Sequence, residues 1–262
     1  MLAKTTPYIY NKDMKRYFFV DTTASVGGTV TIAGQEHTHI AKVLRLKAGE
    51  EIVCLPNDGS TLNVTIERVE KDKTIGRVTG VDYPPQEART NVTVFVACLK
   101  GEKFEFLITK LTEIGVKRLV PFESEFTTAK LLHKKDRYDL IAKEACKQCR
   151  RTRTLEVGEP ISFSSLLDTL SEVADNGEVT LHYDKIIFAS ELEHSTHLSE
   201  VDLSGCKNVA IIVGSEGGFS EKESNELIHH GAISVSLGNR ILRAETAGLV
   251  VPSIVQFLLG EF

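Results

Sequence analysis

The chain has 262 residues, enough for one large or two ordinary domains with a sizeable core. At 42% hydrophobic and 26% charged residues it has a globular composition, and no apolar run approaches the roughly 20 residues of a membrane span. A net charge of -5 does not announce a nucleic-acid binder, while five irregularly spaced cysteines and no apolar leader point to a reducing, cytoplasmic setting without a disulfide framework.

In chain order, residues 1–13 are polar and irregular and read as an extension. Strands are predicted near 16–20, 28–33, 51–55, 61–69 and 74–79, with a short helix around 36–44 and a hairpin turn at Asn57-Asp58-Gly59. Tyr83-Pro84-Pro85-Gln86 reads as a linker, because paired prolines do not fit a central strand. Beyond it strands and helices alternate, the pattern of a parallel α/β sheet. A strand at 92–99 feeds a helix at 102–114, whose Phe104, Leu107, Ile108, Leu111 and Ile114 form one apolar stripe. A strand at 118–121, a basic helix, a strand near Leu155, a helix near 163–173 and a strand near 179–182 follow.

Two loops then stand out. The apolar run Val209-Ala210-Ile211-Ile212-Val213 enters Gly214-Ser215-Glu216-Gly217-Gly218-Phe219-Ser220, and Ser220 with Glu223 has capping-box spacing. A strand at 233–237 enters Gly238-Asn239-Arg240-Ile241-Leu242-Arg243-Ala244-Glu245, followed by an apolar helix at 247–259. Two such turns at one end of a parallel sheet form the usual ligand edge of open α/β folds. Glycines there let backbone groups approach a flat ligand such as adenine.

Charge is uneven. The segment from Lys130 to Arg153 carries +6 against -11 elsewhere. Lys143, Lys147 and Arg150 have the i, i+4, i+7 spacing of one helical stripe suited to phosphates, although a solvated face has the same pattern. Cys146-Lys147-Gln148-Cys149 matches C-x-x-C but lies deep in this helix, where a redox thiolate is not expected. His37 with His39, and His194 with His197, lack the partners of a zinc site, so no metal is expected. No G-x-x-x-x-G-K-[ST] is present, which excludes a P-loop nucleotidase.

GSEGGFS followed by LGNRILRAETA resembles the bacterial 16S ribosomal RNA uracil-N3 methyltransferases, the RsmE family of the knotted SPOUT superfamily. The likeness extends to Lys100-Gly101-Glu102-Lys103, to 110–116, to 144–150, and at the amino end to 16–20 and 39–45. It implies a SPOUT-type parallel-sheet methyltransferase domain at 91–262 with a C-terminal knot, a linker at 84–90, and a PUA-like RNA-docking β-barrel at 14–83. It further implies S-adenosylmethionine as cofactor, a homodimer, and methylation at N3 of uridine 1498 in 16S RNA of the small ribosomal subunit.

By resemblance the cofactor residues are Leu99, Val213, Gly214, Ser215, Glu216, Gly217, Gly218, Leu237, Gly238, Asn239, Arg240, Ile241, Leu242 and Thr246. Arg243, or another cation, is the candidate for stabilising a developing uracilate, and Glu216, Glu245 or water for taking its proton. Arg16, Arg45, Lys143, Lys147 and Arg150 are the candidate RNA contacts, with Lys42 and Lys47 beside them. Two departures are visible: Ser215 stands where the family usually has proline, and Phe126 where it often has arginine. The alternatives are a non-catalytic RNA-binding or ribosome-assembly factor on the same fold, and a nicotinamide oxidoreductase, which the absence of G-x-G-x-x-G weakens.

Overall fold

The structure, a computed structural model, describes residues 16–128, 133–173 and 178–262. The extension expected at 1–13 and the cation Lys130 lie outside the described residues. The chain divides into two compact units between Pro84 and Pro85. No helix among the described residues is long and apolar enough to cross a membrane.

The first unit is built on β1 (Tyr17–Phe19), β2 (Thr29–Ala33), β3 (Glu51–Leu55), β4 (Thr61–Val69) and β5 (Lys73–Asp82). They form one sheet in the order β1-β3-β4-β5-β2, antiparallel except for β1 on β3. Alternation turns Val30 and Ile32 inward to join Phe18, Ile52, Leu62, Val64 and Ile66 in the core. The helix expected at 36–44 is two pieces, α1 (Gly34–Thr38) and a π-helical turn His39–Leu44, which Arg45 ends at φ 53°. His37 is buried with Nδ1 2.9 Å from Thr74 Oγ1 and Nε2 3.3 Å from the Lys71 carbonyl. Both ring nitrogens are thereby occupied in packing.

The second unit runs β6 (Asn91–Ala97), α2 (Gly101–Glu113), β7 (Arg118–Glu123), α3 (Asp136–Cys149), β8 (Glu156–Val157), β9 (Ile161–Ser162), α4 (Phe163–Leu170), β10 (Ser171–Val173), β11 (Val179–Leu181), β12 (Lys185–Ala189), β13 (Asn208–Val213), α5 (Glu221–His229), β14 (Ile233–Val235) and α6 (Ala244–Leu258). The main sheet has the order β14-β12-β13-β6-β7-β8, with β9 also on β7, and every ladder is parallel. Its strands are apolar on both sides, and alternate residues sort into two cores. Val92, Val94, Val96, Ile211 and Val213 pack with Phe104 and Leu107 of α2, Tyr138 of α3 and Val251 of α6. Phe95, Ile186, Phe188 and Ile212 pack with Leu166 and Leu170 of α4 and Leu227 of α5.

Two expectations change here. The helix predicted near 163–173 starts where Ser162 Oγ accepts the Ser165 N–H, but ends at Leu170, and Ser171 to Val173 pair with β11 as a small hairpin. The strand predicted near 179–182 is therefore off the main sheet. The sheet strand in this region is β12, missed from the sequence, whose Ile186, Ile187 and Phe188 are all buried.

Residues just past Pro85 are bound into this second unit. The Glu87 carboxylate accepts from Arg151 Nε and Nη2 and from the N–H groups of Thr152 and Arg153. Glu87 is half-buried, whereas Arg151 is buried and donates through Nη1 to the carbonyls of Thr112 and Val116. Burial pushes the Glu87 carboxyl up, but the guanidinium and the N–H donors outweigh it and hold it below the usual range. Arg151→Met strips this carboxylate of its partner and should cost on the order of 3–5 kcal/mol in urea unfolding at pH 7. Because the folded-state pKa of Glu87 is depressed, its contribution is present above the ordinary value of about 4.3 and lost as pH falls through the folded value. The stability gap between the wild type and Glu87→Gln should accordingly narrow on acidification below about pH 4.

Candidate active site

The strands β12, β13 and β14 end on one row of the sheet: Ala189 is level with Val213 on one side and Val235 on the other. Three loops leave that row together and enclose a cavity of about 370 Å³. The loop after β13 is anchored by Phe219, stacked on Phe122 at 6.4 Å and edge-on to Phe188 at 5.7 Å. Ser220 and Glu223 form the expected capping box at the start of α5. The buried Glu223 carboxylate also accepts the Glu125 N–H at 2.8 Å, which ties the turn after β7 to the same helix start.

Val213, Gly214, Ser215, Gly218, Leu237, Gly238, Asn239, Arg240, Ile241 and Leu242 all line the cavity. Leu99, Glu216, Gly217 and Thr246 do not. Leu99 is packed in the core beside Phe104. Gly217 is turned outward: a Cβ there would stand 2.9 Å from Cβ of Phe126. Thr246 is exposed because it lies two positions, about 200° of helix, from the buried Ala244. Ala244 and Ala247 form the wall in its stead. Sequence reasoning also missed Ala189, Ser190, Glu191 and His194, which follow the unrecognised β12. Gly218 has φ 69°, and a Cβ on it would collide with the Glu191 carboxylate.

The two candidate bases meet a partner that the sequence did not suggest. Lys103, in the first turn of α2, places Nζ 2.9 Å from Glu216 Oε1 and 3.1 Å from Glu245 Oε2. One ammonium thus joins α2, the loop after β13 and the start of α6. The hydrogen bond to Glu216, then that to Glu245, raises the Lys103 pKa, and the same Lys103 contact lowers that of Glu216. Both effects strengthen the charged pairing and weaken Glu216 as a proton acceptor. Arg243 is the N-cap residue of α6 and exposed, and among the described residues its guanidinium makes no hydrogen bond or ion pair. The arrangement is therefore a backbone-lined cavity with a clasped carboxylate pair outside it and a free guanidinium at its second loop.

Residues 86–256 match the RNA methyltransferase domain family and residues 32–78 the RNA methyltransferase PUA domain. Ribosomal RNA small subunit methyltransferase E of Bacillus subtilis is 30% identical, the match covering 93% of this chain and 96% of that one. The chain belongs to the ribosomal RNA small subunit methyltransferase E family. The crystal structure of a Neisseria gonorrhoeae enzyme of that name, bound to S-adenosyl methionine, is similar at TM-score 0.80 and 26% identity, covering 93% of this chain and 98% of that one. A probable rRNA-methyltransferase from Porphyromonas gingivalis is similar at TM-score 0.79 and 27% identity, covering 94% and 98%.

In this methyltransferase the basic segment is partly neutralised by acids within it and on neighbouring elements. Lys134 meets Asp139 at 2.7 Å, Arg137 pairs with Glu105, and Lys147 with Glu144. The stripe expected from Lys143, Lys147 and Arg150 is not formed. Only 11% of the Lys147 side chain is exposed, and α3 ends at Cys149 with Arg150 turned left-handed at φ 65°, which takes it out of helical register. Arg150 is exposed, and Lys143 is partly covered. On the first unit Arg16 pairs with Glu50 at 3.3 Å, while Arg45, Lys42 and Lys47 are exposed.

The C-x-x-C pair belongs to packing. Burial pushes the Cys146 thiol up to about 12, and its Sγ lies 3.2 Å from the Arg151 carbonyl. His197 caps the 3-10 turn Leu198–Glu200, and no cluster of three metal-ligating side chains occurs among the described residues. Carboxyl titration by NMR should find Glu216 below the ordinary glutamate value of about 4.3, and Lys103→Met should raise it; an unmoved midpoint would break the clasp.

Proposed function

We propose that this chain transfers the methyl group of S-adenosylmethionine to N3 of a uridine in 16S ribosomal RNA, position 1498 being the site the family resemblance implies. The observation that carries the reading is the cavity at the strand ends, walled by the two glycine loops, with the unpaired Arg243 beside it. It suits the cofactor chemically. Leu237, Leu242, Ala244 and Ala247 offer apolar contact to an adenine, and glycine at 218 lets the Glu191 carboxylate close on the loop where any side chain would displace it. Glu191, Ser190 and His194 supply polar ends to the same cavity. The knot, the homodimer, and RNA docking by the first unit through Arg16 and Arg45 are part of this proposal.

When bound, the cofactor supplies an activated methyl on a sulfonium, which becomes a neutral thioether as the carbon–sulfur bond breaks. The chain's own task is to align and to manage charge. Uracil N3 carries a proton at neutral pH and lies on the pairing edge, so the uridine must be unpaired and its proton removed. Arg243 stabilises the charge that develops on the uracil oxygens as that proton leaves. Glu216 and Glu245 are held by Lys103, so the proton passes to solvent and the two carboxylates serve to brace the loops.

Labelled methyl transfer to small ribosomal subunits that lack the modification, with mapping of the modified base, tests the reading. Binding of RNA without transfer would favour the assembly-factor alternative. Gly218→Ala should abolish S-adenosylmethionine binding in calorimetry while the protein stays folded, since the new Cβ displaces Glu191 and sits at positive φ. Arg243→Ala should slow single-turnover methylation at saturating RNA at least ~10-fold, the loss of about one charge-assisted contact in the transition state. Arg150→Gln should lower the salt slope of RNA binding by roughly one unit at most, whereas Lys147→Met should leave that slope unchanged.

A further inference from the structure

Phe126 is a large apolar residue left 45% exposed beside the cavity loops. It lies three residues past the end of β7, at the same carboxyl-terminal edge of the sheet as the cavity. Its side chain lies against Gly217, where an added Cβ would stand 2.9 Å from Cβ and 3.3 Å from Cγ of Phe126. Glycine at 217 is what gives the ring its seat.

The turn that carries the ring is tied down by hydrogen bonds. Thr127 donates its N–H to the Ser124 carbonyl at 3.0 Å, and Ser124 N–H returns to Thr127 Oγ1 at 3.0 Å. Between them the Glu125 N–H is held by the buried Glu223 carboxylate that caps α5. A hydrophobic side chain that only filled space would gain by turning inward. This one stays outward against Gly217, which is one residue along from Glu216 of the Lys103 clasp. An exposed aromatic face on a tied turn, next to a site that acts on an unpaired base, has one well-matched ligand, the π-face of another nucleobase.

We propose that Phe126 is a stacking platform for an unpaired base of the RNA substrate beside the reacting uridine, a reading that rests on the methyltransferase assignment above. The contact is uncharged, so it adds affinity without adding to the salt slope. It acts on RNA and leaves cofactor binding alone.

The test uses the full chain and three variants. Phe126→Leu keeps apolar packing on Gly217 but removes the flat face. It should raise the half-saturating concentration of unmodified small subunits in single-turnover methylation by about tenfold. S-adenosylmethionine affinity by calorimetry should not change. Phe126→Tyr, which restores a flat ring, should recover the wild-type value. The chain contains no tryptophan, so Phe126→Trp introduces a single fluorophore at this position. Excited at its red edge, it should be quenched saturably by protein-free 16S RNA. Three results each overturn the proposal: an unquenched Phe126→Trp, a Phe126→Leu indistinguishable from the wild type, or a Phe126→Leu that loses cofactor affinity and so marks a packing role. Failure of the wild type to methylate subunits would instead remove the methyltransferase reading, while the quenching still decides whether Phe126 meets RNA.

Discussion

Every feature of the site depends on the parallel register that brings β12, β13, β14 and β6 to a common edge. Ala189, Val213, Val235 and Val96 stand level across four strands, so the chain leaves the sheet at one height each time. Parallel pairing forces this, because each strand must be re-entered from the opposite end through a crossover. The loops at the departing end then accumulate on one side, and the cavity is what they enclose. A register slip of one residue in β12 would reverse which of Ile186, Ile187 and Phe188 face each core, and both cores resist it.

Carboxylates do much of the tying, Glu223 buried and Glu87 half-buried. Glu223 collects N–H groups from Ser220 and Glu125, so one side chain sets both the start of α5 and the turn that carries Phe126. Glu87 does the same on the far side for Arg151, Thr152 and Arg153. In each case several backbone or guanidinium donors meet one acceptor group, which compensates the cost of removing its charge from water. Lys103 works in the opposite sense, one cation between two acids, and is more exposed. Its contribution is geometric more than energetic, since surface pairs are worth little.

The charge distribution also changes meaning once the partners are known. A segment of +6 suggests a phosphate-binding face, yet Lys134, Arg137, Lys147 and Arg151 each have an acid within reach. The guanidiniums without partners among the described residues include Arg240 and Arg243, in the loop that closes the cavity. Net charge over a segment therefore says little about where an anion would be met; the partners of each cation decide it.

Local signals in the sequence determined much of this protein. Alternation and apolar runs set most strands within two or three residues, the Ser220–Glu223 spacing set the start of α5, and the glycine loops marked the cavity edge. Each is written in neighbouring residues, so each is legible there. The tertiary structure alone decided the rest. β12 is a five-residue strand whose apolar run looks unremarkable until β13 and β14 flank it. Glu191 and His194 reach the cavity only because that strand is inserted between two others. Thr246 and Ala247 are adjacent in the chain, and helical phase against the sheet decides that the second faces inward. Lys103, Glu216 and Glu245 are separated by more than a hundred residues across the first gap, and Phe126 and Gly217 by nearly as many. No periodicity encodes such meetings, because strand order, not sequence spacing, sets the distance between them.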